Sequence, residues 1–210
     1  MIDWIDQFFT YIESKKKLPA QTLDQLRLHI VIEKIPRNTC ILHYGAMSDK
    51  MYFICQGAMR GEMREMENEE WQYKSSRFMM EQEIVFNVES FDDQVPSREA
   101  IYTLEPVIAL TINRNEYYDL EAAFPELGGL RADLAFGVIK KDNKRIEGKQ
   151  SLNVEKRIIY LIENEPEWMK RVPQIYLASY TSTTPENFSR TLKKIRRKGL
   201  NRDGQTNEPS

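Results

Sequence analysis

The residues best suited to chemistry in this sequence are the basic side chains between 184 and 202. Residues 184–202 contain seven Lys or Arg and a single acid, Glu186. The whole 210-residue chain, in contrast, has a formal net charge of −2. A basic surface on an otherwise acidic protein is typical of a site that binds a polyanion such as DNA. Lysine and arginine near a helix C-terminus also compensate the helix dipole, so an ordinary solvated surface is the alternative.

Two short helices joined by a tight turn are predicted to position these side chains. Proline is favoured at the first position of a helix, where Pro173 and Pro185 would lie. Thr184 suits the N-cap of the second helix because its hydroxyl can accept a hydrogen bond from a free backbone N–H. Small Ala178 in the first helix would allow the two helix axes to approach closely.

The second helix, predicted over 184–198, has one apolar and one polar face. Phe188, Leu192 and Ile195 recur at helical spacing and would pack inside the domain. The polar face suits the DNA major groove, with its first two turns at base edges and the following basic residues at phosphates. The predicted DNA-binding residues are Thr184, Glu186, Asn187, Ser189, Arg190, Lys193, Lys194 and Arg197.

The run from Gln174 to Arg190 resembles the helix-turn-helix of the Crp/Fnr family of bacterial transcription regulators. The residues that match the family's pattern are Ala178, Thr184, Glu186, Ser189 and Arg190. Ser182 stands where the family usually has the turn glycine, and Pro185 stands where some members carry a base-reading arginine. The resemblance implies three partners: double-stranded DNA, a second copy of the chain in a homodimer, and RNA polymerase.

Residues 37–113 change to a period of two, which predicts short strands of a barrel or jelly roll. The predicted strands are 40–45, 51–57, 58–66, 71–78 and 100–112, and residues 1–36 before them are predicted to be helical. Gly45 and Gly57 are predicted turn glycines. Together with the Tyr-Phe-Ile sequence at 52–54, they resemble the cyclic-nucleotide-binding β-roll of the Crp/Fnr family.

The resemblance also locates a degenerate ligand site at 78–83 and 96–100. Met80 takes the place of the glycine that lets a phosphate approach, and Ser97 takes the place of the phosphate-pairing arginine, with Arg98 one residue later. Residues 81–99 carry six acids against one arginine, and this charge opposes anion binding. We expect no cyclic-AMP response, although another small molecule could occupy the roll. The candidate ligand residues are Glu81, Glu83, Ser97 and Arg98.

A long helix is predicted to begin at about residue 124. Its apolar stripe, spaced as in a coiled coil, consists of Leu127, Leu130, Leu134 and Val138. In the family this helix forms the dimer interface. Because DNA-reading helices usually bind as symmetric pairs, we predict that the stripe forms the dimer interface here. The alternative is that it covers the β-roll of its own chain. The polar residues 141–151 are the predicted hinge.

The sequence therefore predicts an α+β protein with three parts. The first is a sensor domain at 1–123, made of N-terminal helices and a jelly-roll-like β-roll. A dimerisation helix and hinge follow at 124–150, and a helix-turn-helix domain with a reduced or missing wing at 151–210.

Nucleotide-binding, nucleophile-elbow and zinc-protease motifs are absent, and two cysteines and two histidines supply no metal or haem site. We expect no enzyme activity, no cofactor, no membrane span and a cytoplasmic location. The predicted function is DNA-binding transcription regulation; the alternative is a sensor or protein-interaction module that has lost DNA binding.

Overall fold

A computed structural model describes residues 3–67, 69–149 and 153–203 of the chain. It divides into two compact units, 1–143 and 144–210, with a long helix running from the first into the second. Each unit is described by itself.

The first unit combines a β-roll with helices at both ends of its sequence. Its helices are α1 (Trp4–Lys15), α2 (Ala20–His29), α3 (Val88–Asp93), α4 (Arg114–Ala123) and α5 (Glu126–Lys149), the last of which continues beyond residue 143. Its strands are β1 (Val31–Ile35), β2 (Cys40–Leu42), β3 (Lys50–Gln56), β4 (Met59–Glu67), β5 (Glu70–Met79), β6 (Ile84–Val85), β7 (Glu99–Thr103) and β8 (Val107–Asn113).

Two antiparallel four-stranded sheets form the roll, in the orders β1-β8-β3-β6 and β2-β7-β4-β5. One apolar cluster lies between the sheets and includes Ile54, Met59 and Val85. A second cluster lies between the first sheet and the helices, where Ile12 of α1 and Leu127 of α5 are fully buried. The helices thus close one open face of the roll, as expected for a sheet with an apolar outer surface. The predicted α+β class with a roll is confirmed.

Two local predictions differ from the structure, and one short helix was not predicted. Residues 31–35 were predicted to be helical but form the edge strand β1, because β-branched Val31 and Ile32 favour an extended backbone that pairs with β8. The single strand predicted at 100–112 is two strands, interrupted before Pro106, which has no N–H for the ladder. Helix α3 was not predicted; the side chain of Asn87 caps it by accepting from the N–H of Ser90 at 2.9 Å.

The predicted turn glycines are confirmed by their backbone angles. Gly45 has φ 77° and Gly57 has φ 101°, a region that L side chains rarely adopt. At Gly57 an added Cβ would also lie 2.5 Å from the carbonyl oxygen of Pro106. Only glycine satisfies both conditions there.

Helix α5 extends through most of the predicted hinge. Residues 141–149 are helical, and 150–152 lie outside the described residues. Polarity alone does not end a helix, because Lys, Arg and Glu are good helix formers. None of the helices in the described part of the chain is both long and apolar enough to cross a membrane.

The described residues of the second unit after α5, 153–203, form four helices joined by short turns. Its helices are α6 (Val154–Asn164), α7 (Pro166–Arg171), α8 (Gln174–Tyr180) and α9 (Pro185–Asp203). The aromatic core contains Trp168, whose ring meets that of Tyr180 edge to face at 5.4 Å, and Phe188, which is fully buried. Pro185 is the first residue of α9, as predicted, whereas Pro173 lies one residue before α8.

Helix α9 is longer than the predicted 184–198. Gly199 does not end it, since a glycine inside a helix costs only about 1 kcal/mol relative to alanine. No strand follows α9 up to residue 203, where the described residues end. Residues 204–210 lie outside them, so the prediction of a reduced or missing wing stays a prediction.

Candidate nucleic-acid interface and β-roll interior

A tight turn connects α8 to α9. The N–H of Ser182 donates to the carbonyl of Ser179, and the N–H of Thr183 donates to the carbonyl of Ala178, both at 3.0 Å. This is the Schellman pattern that satisfies the last carbonyls of a helix, and it places Ser182 at φ 53°. Ala178 is fully buried. The turn therefore has the geometry for which glycine is usual, although serine occupies the position.

The side chain of Thr181 and helix α6 strengthen the same turn. The Thr181 hydroxyl donates to the carbonyl of Leu177 at 2.9 Å. The carbonyl of Thr181 in turn accepts from the guanidinium of Arg157, on α6, at 2.7 Å. Three helices thus fix the direction in which α9 leaves the turn.

A short hydrogen-bond chain orders the start of α9. As predicted, the hydroxyl of Thr184 accepts from the N–H of Asn187, at 3.2 Å. The Asn187 amide donates to the hydroxyl of Thr183 at 2.7 Å and accepts from the guanidinium of Arg190 at 2.9 Å. Because Asn187 is held at both ends, it holds the exposed Arg190 side chain in a defined direction.

One stripe of α9 points away from the domain core. Phe188 and Leu192 are buried, and Ile195 is half-buried beside them, as the spacing predicted. The residues on the opposite side recur at i, i+4, i+7 and i+11, the spacing of one helix face. This outward stripe consists of Glu186, Arg190, Lys193 and Arg197, all exposed.

Lys194 lies on the flank of α9 beside α6 rather than on the outward stripe. Its ammonium is 3.2 Å from one carboxylate oxygen of Glu155, and that of Lys198 is 2.9 Å from the other. Hydrogen bonds from Lys198 and Lys194 lower the pKa of Glu155, which is therefore ionised at neutral pH. Ser189, the remaining residue of the predicted set, is half-buried.

In the first unit, an ion pair lies inside the β-roll. The guanidinium of Arg77, on β5, donates to both carboxylate oxygens of Glu99, on β7, at 3.1 and 2.6 Å. The same guanidinium donates to the carbonyl of Phe86 at 3.2 Å and to the carboxylate of Asp142, on α5, at 3.0 Å. Ser76 donates to Glu99 at 2.5 Å. This cluster, in which Arg77 and Glu99 are buried and Asp142 is half-buried, joins two strands of the roll to the long helix.

The pKa and the neighbours of Arg77 show how the pair is accommodated. Burial lowers the pKa of the guanidinium, but the nearby carboxylates of Glu99, Asp142 and Glu83 together raise it by more, so the group stays charged. Gly61, on β4, lies against the pair, and a Cβ there would overlap Glu99 and Ser76. The absence of a side chain at 61 makes room for the ions.

The predicted ligand residues do not form one cluster around a shared cavity. Glu81 accepts from the N–H of Gly57 at 2.8 Å, and Glu83 pairs with Lys141 at 3.2 Å. Ser97 is buried and donates to the carbonyl of Glu99 at 2.7 Å. Arg98 is exposed, and both Ser97 and Arg98 line an open pocket of about 590 Å³. Ser97 is therefore buried and Arg98 exposed, and both lie in the segment just before β7, which begins at Glu99.

The predicted dimer stripe is buried within its own chain. Leu127, Leu130, Leu134 and Val138 all belong to the apolar cluster between α5 and the first sheet, and none is more than 8% exposed. The structure therefore places these four side chains as in the alternative interpretation, covering the roll.

A second apolar stripe lies on the exposed side of α5. Phe136 is 66% exposed and Ile139 is 45% exposed. With Ala132 and Asn143, which are also exposed, they are spaced 4, 3 and 4, as in the a and d positions of a coiled coil. The exposed seam of α5 is hereafter Ala132, Phe136, Ile139 and Asn143.

Sequence reasoning missed Arg77 and Glu155. Alternation along β5 places Arg77 on the same side as buried Met79, so the period-two pattern contained a signal for an inward arginine. Glu155 carries no such signal. It lies 39 residues before Lys194, and only the packing of α6 on α9 brings them together.

The fold is similar to that of solved bacterial regulators. The regulator CLP of Xanthomonas campestris, described as c-di-GMP responsive, aligns with TM-score 0.67 and 18% identity over 87% of this chain and 94% of that one. FixK2 from Bradyrhizobium japonicum aligns with TM-score 0.67 and 11% identity over 81% and 86%.

A further regulator of the Crp/Fnr family, from Eubacterium rectale, aligns with TM-score 0.60 and 12% identity over 91% of this chain and 89% of that one. No family model and no curated protein matches the sequence. Since the matches extend over both the β-roll and the C-terminal helices, the chain has the fold of the Crp/Fnr family of transcription regulators.

Proposed function

We propose that the chain is a homodimeric, DNA-binding transcription regulator that does not respond to cyclic AMP. The observation that carries this proposal is the outward stripe of α9, which presents three cations and one acid opposite the buried Phe188 and Leu192. Such a face, placed after a fixed turn, suits the major groove.

The residues of the outward stripe fall into two groups with different roles. Arg190, held by Asn187, is positioned to donate to guanine, and Glu186, one turn earlier, is positioned to accept from cytosine. Lys193 and Arg197 follow further along the helix and contact phosphates, which raises affinity without reading sequence. Because Asn187 orders Arg190 before binding, less side-chain entropy is lost when the guanine contact forms.

The exposed seam of α5 supports the homodimer. Phe136 is two-thirds exposed, and the exposure of so much apolar surface to water is unfavourable. The same seam of a second copy would bury it. Asn143 falls at an a position, where a single polar residue fixes register and favours two strands. Two copies related by a two-fold axis would present two α9 helices to a palindromic site.

The ion cluster in the roll supports the absence of a cyclic-AMP response. An arginine that binds a cyclic phosphate needs a free guanidinium, but that of Arg77 already donates to Glu99, Asp142 and the carbonyl of Phe86. A phosphate entering beside Glu99 would also meet a buried carboxylate, and like charges at short range repel strongly. A cyclic phosphate entering there would therefore meet carboxylates that already occupy the guanidinium of Arg77.

The direct test is selection of bound fragments from a genomic library, followed by fluorescence anisotropy on the selected duplex. Arg190→Ala should relax the preference for one base pair per half-site, at a cost of about 1–3 kcal/mol. Arg196→Ala is the matched control, because it removes the same charge from an exposed position of the same helix that lies off the outward stripe.

Two results would contradict the assignment of α9. In the first, Arg190→Ala and Arg196→Ala change affinity and base preference equally. In the second, no duplex is retained in the selection, which would favour the alternative of a sensor or interaction module that does not bind DNA.

A further inference from the structure

We propose that Glu155 acts as an internal counter-charge that competes with DNA phosphates for Lys194 and Lys198, and so sets the strength and salt dependence of DNA binding. The inference rests on the proposed function and adds to it a positioning residue outside the reading helix.

The geometry places one carboxylate between two lysines. Lys194 and Lys198 are one helical turn apart on α9, and each donates to a different oxygen of Glu155, at 3.2 and 2.9 Å. The lysine side chains are 60% and 61% exposed, whereas that of Glu155 is 24% exposed. The acid is thus the more enclosed partner, and the two cations lie at the surface where they can change partners.

The backbone of α6 fixes the position of this acid. Glu155 lies in the first turn of α6, where the helix dipole favours a negative charge, and its N–H donates to the side chain of Asn153 at 2.8 Å. Ile158 and Leu161 of the same helix are buried in the core. The backbone of Glu155 therefore stays in place if the lysines turn toward a phosphate, and the exchange requires the ion pairs to break.

The flank position decides which property of binding is affected. Lys194 and Lys198 lie beside the outward stripe, where a helix in the major groove faces the phosphates that border it. Each lysine that neutralises a phosphate steepens the slope of log K against log salt by about 0.9. While both are paired with Glu155, that contribution is withheld for every sequence alike.

The exchange is distinguishable from a purely structural link between α6 and α9. Exposed ion pairs contribute little to stability, so removing Glu155 changes folding little. A structural link would leave the salt slope unchanged, whereas an internal counter-charge would make the slope shallower in the wild-type protein than in a variant without it. The slope is therefore the diagnostic quantity.

The experiment measures salt slopes by anisotropy on the selected duplex and on a random duplex of the same length. Glu155→Gln should steepen the slope by about two units on both duplexes and tighten binding about tenfold at low salt. Glu163→Gln is the matched control, because it removes the same charge from an exposed position of the same helix. Equal slopes for the two variants would overturn the proposal.

A second variant keeps the inference testable if Glu155→Gln folds poorly. Lys194→Gln/Lys198→Gln should change the wild-type slope by less than about half a unit, since both charges are already neutralised. A loss of two units would show that the lysines contact phosphates despite Glu155, and the proposal would fall. If the wild-type protein binds no duplex, the proposed function fails and the inference with it; if it binds and only the slopes disagree, the inference alone fails.

Discussion

Arg77 and Glu99 face each other inside the β-roll and form a two-point ion pair, with the guanidinium 2.6 Å from one carboxylate oxygen and 3.1 Å from the other. Asp142 of α5 accepts from the same guanidinium at 3.0 Å. A single buried arginine therefore links the interior of the roll to the long helix, within one turn of the boundary between the two compact units.

Removal of the arginine should destabilise the protein strongly. Arg77→Met leaves Glu99 buried without its partner, and breaking a buried pair from one side costs about 3–5 kcal/mol. Urea unfolding followed by circular dichroism measures the loss. Arg27→Met is the control, because the Arg27–Asp6 pair is exposed and should contribute about 0–1 kcal/mol.

The double variant Arg77→Met/Glu99→Leu should recover much of that stability, since apolar residues can replace a buried ion pair at little cost. A single Arg77→Met variant that unfolds no more easily than Arg27→Met would contradict the assignment of the pair as a buried structural element.

Cyclic AMP should not bind at physiologically relevant concentration. Two carboxylates, of buried Glu99 and of Asp142 on α5, already bind Arg77. Met80 replaces the glycine of the family's phosphate site, and Arg98 lines an open pocket. Isothermal titration calorimetry is the measurement. Heat that fits a dissociation constant in the low micromolar range would contradict this reading of the roll.

Charge on the exposed seam of α5 should give a folded monomer where the proposed homodimer would otherwise form. Phe136→Asp/Ile139→Asp alters two exposed side chains, so we expect a folded monomer by light scattering and an unchanged far-ultraviolet spectrum. Leu130→Asp/Leu134→Asp alters two side chains of the core and should instead unfold the first unit, because buried charges are costly. A Phe136→Asp/Ile139→Asp variant that stays dimeric would exclude the exposed seam as the interface.

Glycine at position 182 should stabilise the second unit. Ser182 has φ 53°, and a left-handed conformation costs a non-glycine residue roughly 1–2 kcal/mol. Ser182→Gly removes that cost but adds entropy to the unfolded chain, so a net gain of about 0.5–1 kcal/mol is expected. Ser182→Val, the opposite control, should lose stability. Thermal unfolding compares the three proteins, and a destabilised Ser182→Gly would show that the serine side chain contributes more than its backbone costs.

Much of this architecture follows from the sequence. The spacing of Phe188 and Leu192 gives the buried face of α9, Thr184 and Pro185 mark its start, and Gly45 and Gly57 mark turns of the roll. These features are local, because caps, turns and helix periodicity depend on residues within a few positions of one another. The motif also places Ser182 in the turn, but its positive φ is known only from the structure.

Tertiary structure decided the questions that depend on long-range contacts. Spacing identified Leu130 and Leu134 as an apolar stripe. However, a helix with two apolar sides can pack either side against its own core. Only the packing of α5 on the β-roll shows that Phe136 and Ile139 are on the exposed side. The charges of Arg77 and Lys194 are visible in the sequence, but their partners lie 22 and 39 residues away. An ion pair forms where folding brings two charges within about 4 Å, and no local pattern encodes that distance.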